Sequence, residues 1–452
     1  MLFDQKKINL LILISFIFSC CLSLYYLNKF DHYSEYKNNN HPMIKIAVRN
    51  HWYEAQAILD DVKIGKKFWE SGEKNPDSFL PQKILALYYL IINKDLNENE
   101  IVKVNNGKGY YLIIKAFLYY FIIYLLSKKL SLIFCKKKIF FTVLFLSLLP
   151  DIFQYHSSFW NESLFFSIQL LFIYLILGFP KLFLHNVLIG LAVGLMMSVS
   201  DEYFIYIFFL TVIYLIIFKS QFLKPFLGLV LGYSLILLVI FMSNSLKGRP
   251  DKVVSYGIKS AIYIYLVPKI VSEKNDINIT SSITKLKNKS IIWAKKNNIN
   301  YVDDKKLLLK IENINDNEKY LNYIFKESLF IIIKSPLITF KEVLRKSMHT
   351  VTLNPFYINY FYKYNGKGEF LKTDTHRKLI PVRIIYSIII YSIILIGFLK
   401  FFKKKNTYLN TFLTISIFYV IISLGWMGNS RYFVPGLIFM SPFFGNFFNS
   451  KN

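Results

Sequence analysis

Charged residues are scarce in this chain, and acidic residues are the scarcest of them. Of 452 residues 18% are charged, whereas a soluble domain usually carries about a quarter. Asp and Glu number 28 against 55 Lys and Arg, and 54% of the residues are hydrophobic. Many of the apolar runs approach or reach the roughly 20 residues that cross a bilayer. This composition excludes a soluble enzyme and a disordered tail protein, and it predicts a multi-span membrane protein.

Cysteine is also rare, and the common metal and phosphate motifs are absent. The three cysteines lie in or beside apolar runs, which excludes a disulfide framework. The sequence contains no HExxH pair, no paired cysteines and no glycine-rich phosphate loop. Its histidines are scattered without metal-ligand spacing. We therefore expect no fixed metal site and no cofactor beyond, at most, a loosely bound divalent cation.

The formal net charge of +27 would also suit a nucleic-acid-binding protein. No aromatic-basic platform or known nucleic-acid module accompanies the charge, however. The lysines instead cluster beside the apolar runs, where they set the orientation of membrane helices. We expect membrane lipid, and no nucleic acid, among the partners of the chain.

Hydropathy predicts ten membrane spans. The first follows Lys6 and Lys7 and reads as a retained signal anchor, because no small-residue cleavage site comes after it. The predicted spans are 9–27, 110–127, 139–155, 163–179, 184–199, 201–218, 224–243, 381–401, 407–424 and 431–448.

Lysines lie on one side of these spans. If the N-terminus is cytoplasmic, the short outer connections 151–163, 199–202 and 425–431 hold a single basic residue, Arg431. The inner connections hold the lysines, as the positive-inside rule requires. The inner lysines are Lys128, Lys129, Lys136, Lys137, Lys138, Lys181, Lys219, Lys224, Lys400, Lys403, Lys404 and Lys405.

The spans predict an all-α polytopic fold with two long extracytoplasmic segments. Short apolar runs within these segments, 84–92 and 261–267, are typical of surface helices, and 284–327 reads as a solvated helical region. The predicted divisions are a signal anchor (1–27), a first outer loop (28–110), a six-span core (111–243), a second outer segment (244–380) and three C-terminal spans (381–452).

Charged residues near the spans collect at the predicted outer rim. The carboxylates there are Asp31, Asp151, Glu162, Asp201 and Glu202, and the cations include Lys115 and Arg431. A carrier needs polar groups at mid-membrane, whereas an enzyme that acts on a lipid-borne substrate needs them at one interface. The simpler interpretation is that each charge is a solvated loop end or a snorkelling side chain.

The order of several weak motifs resembles that of the integral-membrane GT-C glycosyltransferases, a class that includes protein-mannosyltransferase-like and aminoarabinose-transferase-like enzymes. An acidic-aromatic helix, a Pro-led apolar helix, a Pro…Glu signature, a Gly-rich span, a Pro-led amphipathic helix and a final Arg-Tyr-x-x-Pro motif occur in the family's order. These stretches are 52–68, 79–89, 149–165, 190–195, 334–346 and 429–435.

The first outer loop departs from the family pattern. The family usually places an Asp just before the helix, but residues 49–54 read Arg-Asn-His-Trp-Tyr-Glu. The resemblance therefore gives the role of base to Glu54 or to Asp31. The Arg expected after the Gly-rich span is replaced by 198–202, Ser-Val-Ser-Asp-Glu.

The resemblance implies an enzyme that transfers a sugar from a polyprenyl-phosphate donor to an acceptor at the outer face. A carboxylate, Glu54 or Asp31, would take the acceptor proton. Glu162 and Asp201 would position the acceptor or a metal, and Arg431 and Lys115 would hold the carrier phosphate.

We expect such an enzyme in the cell envelope, in a bacterial inner membrane with its active face outward. The acceptor would be a glycolipid, a polysaccharide or a protein. Two alternatives stay open: a lipid-linked oligosaccharide polymerase or ligase, and a glycolipid transporter or flippase without transferase activity.

Overall fold

The computed structural model divides the chain into two compact units, which are treated separately below. Unit 1 comprises Met1–Val253, Leu353–Ile417 and Val434–Asn452, and unit 2 comprises Val254–Thr352 and Phe418–Phe433. The structure describes residues 4–31, 50–72, 79–92, 108–150, 152, 156, 162–177, 182–199, 206–246, 259–260, 262–302, 307–311, 313–351, 362–364, 370–372, 380–402, 413–414, 416–417 and 434–448.

Unit 1 is built from helices, because a chain without water around it must satisfy its backbone polar groups internally. Its helices are α1 (Gln5–Asp31), α2 (Asn50–Lys63), α3 (Phe79–Ile91), α4 (Lys108–Leu130), α5 (Lys136–Leu148), α6 (Glu162–Ile176), α7 (Phe183–Val199), α8 (Tyr206–Phe218), α9 (Leu223–Leu246), α14 (Ile380–Phe402) and α15 (Val434–Phe447). A short antiparallel hairpin of β1 (Tyr362–Tyr364) and β2 (Phe370–Lys372) is the exception to an all-helical fold in its described part.

Four helices are long and apolar enough to cross a bilayer. Within the described ranges they are Gln5–Leu24, Gly109–Leu130, Leu223–Ser243 and Pro381–Lys400. Their apolar side chains are widely exposed, as in Phe117, which is 55% exposed. A protein with such surfaces is an integral membrane protein, because exposing so much apolar surface to water would be unfavourable.

The count of ten spans is not confirmed. Apolar helices occupy nine of the ten predicted spans, but five of these helices, α5 to α8 and α15, have 13–17 residues. Such a helix is about 20–25 Å long, less than the roughly 30 Å hydrocarbon core. The remaining predicted span, 407–424, lies almost entirely outside the described residues.

Helix α5 ends earlier than predicted. The predicted span 139–155 passes through Pro150, whereas α5 stops at Leu148 and Leu149 adopts extended backbone angles (φ −65°, ψ 118°). The residue before a proline is pushed out of the helical region by the proline ring. Helix α5 therefore ends before Pro150, and His156 lies outside it.

Two hydrogen bonds establish relative helix directions in unit 1. The Gln5 amide at the start of α1 donates to Ser127 near the end of α4, at 3.4 Å, so α1 and α4 are antiparallel. Lys129 donates to the Tyr174 carbonyl near the end of α6, at 2.5 Å, so the ends of α4 and α6 meet. These directions agree with the predicted alternation of spans, and which membrane face each end occupies stays a prediction.

Helices α7 and α9 pack closely through glycines. A Cβ on Gly190 would overlap the carbonyl oxygen of Leu229 and lie 2.8 Å from the amide nitrogen of Tyr233. A Cβ on Gly232 would overlap the carbonyl oxygen of Val187. Small residues allow two helix backbones to approach in this way inside membranes.

Helices α14 and α15 pack in a similar manner at the other end of the sequence. A Cβ on Gly397 would overlap the Phe443 carbonyl, and the Asn446 amide donates to the Gly397 carbonyl at 2.8 Å. The Phe448 ring, which follows α15, stacks on Phe141 of α5 with centroids 3.8 Å apart.

Unit 2 has its own apolar core. Its elements are a π-helical turn (Ile262–Leu266), α10 (Val267–Lys274), α11 (Ile279–Lys296), α12 (Ile314–Ile333) and α13 (Pro336–Val351). The buried Tyr263 hydroxyl donates to the Leu286 carbonyl at 3.1 Å. Helices α11 and α12 occupy the predicted solvated helical region.

The predicted domain divisions follow the expected membrane boundaries, whereas the two compact units follow internal contacts. The units therefore do not test those divisions, which stay a prediction.

Candidate functional site

Helices α2 and α3 of the first predicted outer loop pack onto the first turn of α4. The rings of Tyr88 in α3 and Tyr111 in α4 lie 5.2 Å apart. The buried members of this cluster are Ala55, Ile58, Leu59, Leu85, Ala86, Tyr89, Tyr111 and Leu112. The helix that carries Glu54 therefore ends up beside the beginning of α4.

Lys115 lies one turn beyond this cluster along α4 and is buried. Only 5% of the residue is exposed, and its ammonium lies 5.6 Å from the centroid of the Tyr111 ring. A cation over an aromatic face gains some electrostatic stabilisation. Burying a charge among apolar helices is nevertheless costly, which makes such a residue a functional candidate by default.

His156 is the second buried polar side chain at this place. It is fully buried, and its ring lies 4.7 Å from the Tyr119 ring and 5.9 Å from the Tyr120 ring. In the part of the chain that the structure describes, neither ring nitrogen has a hydrogen-bond partner. A buried polar group without a partner is unusual enough to call for an explanation, such as a ligand or an ion.

Burial favours the neutral form of the His156 imidazole. Burial, together with repulsion from Lys115, lowers its pKa to about 3. A neutral imidazole presents one N–H donor and one acceptor nitrogen. Lys115 lies one helical turn before Tyr119, whose ring contacts His156. Lys115 and His156 are called the Lys115–His156 pair below.

The tyrosines around the pair hold the helices in place. The Tyr119 hydroxyl donates to the Leu146 carbonyl at 2.9 Å, and the Tyr120 hydroxyl donates to the Ser147 carbonyl at 3.2 Å. Both bonds cap the last turn of α5, where carbonyls would otherwise lack partners. Their rings, rather than their hydroxyls, face His156.

For three other predicted site residues the structure gives the position in a helix but not the surroundings of the side chain. Asp31 is the last residue of α1, Glu54 lies in the first turns of α2, and Glu162 is the first residue of α6. Asp201 and Arg431 lie outside the described residues. Of the six predicted residues, Lys115 is thus the one whose side-chain surroundings are described.

Helical rise separates Asp31 from Lys115. The Phe16 ring of α1 contacts Phe117 and Tyr120 of α4, each at 6.1 Å between centroids. Asp31 comes 15 residues after Phe16, which is about 22 Å along α1. The position of Asp31 along the helix axis is therefore far from that of Lys115.

No metal centre occurs in the described part of the chain. Among those residues, no three His, Cys, Asp or Glu side chains form a group that could hold a metal ion.

Comparisons with known proteins give only remote similarities. No family model matches the chain, and no curated protein matches it. One similar solved structure is the archaeal oligosaccharyltransferase AglB from Archaeoglobus fulgidus in complex with an inhibitory peptide and a dolichol-phosphate. Its TM-score is 0.46 and its identity 12%, over 97% of this chain and 50% of that chain.

A second similar structure is the Archaeoglobus fulgidus oligosaccharyltransferase tethered by a disulfide bond to an acceptor peptide containing the NVT sequon. Its TM-score is 0.40 and its identity 12%, over 96% of this chain and 49% of that chain. This chain spans about half the length of both. Neither TM-score reaches the level at which two chains share a fold.

Sequence reasoning identified Lys115 and missed His156. Lys115 stands out because it is a charge inside an apolar run. His156 has no local pattern around it, since its neighbours Tyr119, Tyr120 and Lys115 come from a helix about 40 residues earlier. A signal that could have drawn attention to it is Pro150, which ends α5 early and leaves His156 outside that helix.

Proposed function

We propose that this chain is a membrane glycosyltransferase of the GT-C type, which transfers a sugar from a polyprenyl-phosphate donor to an acceptor at the membrane surface. The observation that carries the proposal is the Lys115–His156 pair. A buried cation beside an imidazole without described partners suits an anionic headgroup that enters from the membrane. The motif order described above supports the same class.

The reaction assigns a role to each charged group. The acceptor oxygen attacks the anomeric carbon while the bond from that carbon to the phosphate oxygen breaks. A carboxylate takes the proton of the attacking hydroxyl, a step worth about 10²–10⁴-fold in rate. The phosphate leaves with the bonding electrons, and Lys115 and Arg431 offset its additional negative charge.

The phosphate-binding role suits Lys115 because the site excludes water. A fixed cation in a low-dielectric site stabilises developing charge much more strongly than one in bulk water. His156 adds an N–H donor without adding a second charge, since its pKa is lowered to about 3. This combination favours an anion over a neutral sugar alone.

Glu54 is the better candidate for the base. Its helix packs beside the first turn of α4, one turn from Lys115, whereas Asp31 lies about 20 Å further along α1 by helical rise. In this proposal Glu162 and Asp201 orient the acceptor or a metal.

The first experiment measures transfer by purified protein in lipid nanodiscs supplied with a panel of polyprenyl-phosphate sugars. Lys115→Met should lower the rate about 10²–10³-fold, as removal of one charge-stabilising group does elsewhere. Lys128→Met is the matched control, because Lys128 is an exposed lysine near the other end of the same helix. Equal rates for the two variants would remove Lys115 from the site.

The second experiment compares Glu54→Gln with Asp31→Asn and adds Arg431→Ala. Glu54→Gln should lose transfer and Asp31→Asn should largely retain it, while Arg431→Ala should lose transfer with membrane insertion intact. If both carboxamide variants keep the wild-type rate, neither carboxylate is the base. Movement of the lipid-linked sugar across the bilayer without any transfer would instead indicate a flippase.

A further inference from the structure

An amphipathic helix in unit 2 carries a row of large apolar side chains on its surface. In α13, Leu337 is 83% exposed, Phe340 is 68% exposed and Leu344 is 52% exposed. Their spacing of three and four residues places them on one side of the helix. Such a row is too large and too regular to be ordinary surface scatter.

The row continues into the preceding helix. At the end of α12, Phe330 is 53% exposed and Ile333 is 74% exposed. The chain turns at Ser335, whose carbonyl accepts the Thr339 amide, and Pro336 begins the next helix, as proline does well at a first helical position. Phe330, Ile333, Leu337, Phe340 and Leu344 are called the apolar row below.

The opposite side of α13 is attached to the rest of unit 2. Lys346 donates to the Tyr265 carbonyl. Glu342 is 4% exposed and pairs with Arg345 at 2.7 Å. These contacts fix the rotation of α13, so the apolar row is the outward side of an anchored helix.

Basic residues border the row. The Lys334 ammonium lies 4.1 Å from the centroid of the Phe330 ring, and Lys341 and Arg345 lie along the exposed part of α13. Helix α13 carries three cations and one carboxylate. Apolar side chains bordered by Lys and Arg are the composition of helices that lie in a membrane interface.

The position of the segment in the chain points to the same occupant. Unit 2 follows α9 and precedes α14, and both of these helices are long and apolar enough to cross a bilayer. The segment is thus tethered to a membrane at both of its ends.

We propose that the apolar row binds the lipid surface of the membrane that the chain itself crosses, with its side chains in the acyl region and the lysines at the phosphate level. The occupant is phospholipid, at the depth of about 5–10 Å usual for interfacial helices. This surface is independent of the proposed transferase activity.

The experiment uses the full chain in liposomes, with Cys20, Cys21 and Cys135 replaced by alanine. An environment-sensitive fluorophore is attached through Leu337→Cys or Phe340→Cys. The controls are Lys319→Cys and Lys287→Cys, in α12 and α11 of the same unit; Lys319 is 66% exposed and paired with Asp316. Fluorescence is quenched by nitroxide-labelled lipid from the membrane or by iodide from the water.

Labels at 337 and 340 should be quenched by the nitroxide lipid and protected from iodide, and the control labels should show the reverse. Quenching of 337 and 340 by iodide would place the row in water and overturn the proposal. Protection from both quenchers would mean that protein covers the row, and this too would overturn it. Because Leu337 and Phe340 are exposed, their replacement should leave the helix folded, which circular dichroism verifies.

Discussion

Replacing the glycines between α7 and α9 with alanine should destabilise the protein to a degree that depends on which atoms the new methyl group meets. In Gly190→Ala and Gly232→Ala the Cβ meets backbone of the facing helix, with amide nitrogens 2.8 Å away and carbonyl oxygens closer still. In Gly194→Ala the Cβ meets the side chain of Ile236, with its Cβ at 2.7 Å. The Ile236 Cβ is fixed to its backbone and cannot rotate away either, but at 2.7 Å it overlaps the new methyl group less than the carbonyl oxygens do at 2.0–2.1 Å.

The expected cost follows from these distances. Atoms in good van der Waals contact lie about 3.5 Å apart. The carbonyl contacts of 2.0–2.1 Å therefore require the helices to separate by about 1.4 Å, and the 2.7 Å contact at Gly194 requires about 0.8 Å. Overpacking of this kind costs about 1–3 kcal/mol, offset in part by about 1 kcal/mol of helix propensity that alanine gains over glycine. All three variants gain the same propensity, so the difference between them isolates the packing.

The assay is the survival of folded protein after heating in detergent, measured as the monodisperse fraction and compared as inactivation half-lives, because large membrane proteins often unfold irreversibly. Gly190→Ala and Gly232→Ala should be less stable than Gly194→Ala by about 1 kcal/mol, or roughly fivefold. Leu231→Ala, at a side chain that is 45% exposed on α9, is the control. Equal half-lives for the three glycine variants would refute the close backbone approach.

Two further predictions concern single polar groups. Burial and the neighbouring Lys269 lower the pKa of Lys346 to about 8. The rate of acetylation of this lysine, followed by mass spectrometry, should therefore rise with pH around pH 8. An apparent pKa close to the ordinary 10.4 would contradict the burial of Lys346 beside Lys269. The Tyr214 hydroxyl donates to the Asn186 side chain at 2.5 Å between two buried residues; a double-mutant cycle of Tyr214→Phe and Asn186→Ala should give a coupling of about 0.6–2 kcal/mol, and zero coupling would contradict it.

Helix positions could be predicted from hydropathy. An apolar run that lies in the membrane must form its backbone hydrogen bonds within the segment, and a helix does so. Helix α7 was expected at 184–199 and occupies Phe183–Val199, and α14 was expected at 381–401 and occupies Ile380–Phe402. The failure at α5 has a local cause that the sequence also contained. Hydropathy averaging passes over Pro150, although proline constrains the residue before it.

The packing between helices could not be predicted in the same way. The sequence shows a Gly-rich span at 190–195, but nothing in the sequence says that this span packs on a surface that contains Gly228 and Gly232 of α9. The Lys115–His156 pair failed to emerge for the same reason. Contacts between distant segments depend on the fold as a whole, and a single sequence carries no periodic signal for them.

The helices α2 and α3 of the predicted first outer loop are attached to the bundle that carries Lys115. The buried Lys83 ammonium donates to the Ser71 carbonyl at 3.0 Å, and the Ser243 hydroxyl in α9 donates to the Trp69 carbonyl at 2.9 Å. The turn between α2 and α3 is thereby tied both to α3 and to a helix that can cross the membrane. Because α2 and α3 also pack on the first turn of α4, the loop is fixed at two separate places on the bundle. In the proposed site, a substrate headgroup that reaches Lys115 would thus approach it beside an anchored pair of helices, α2 and α3.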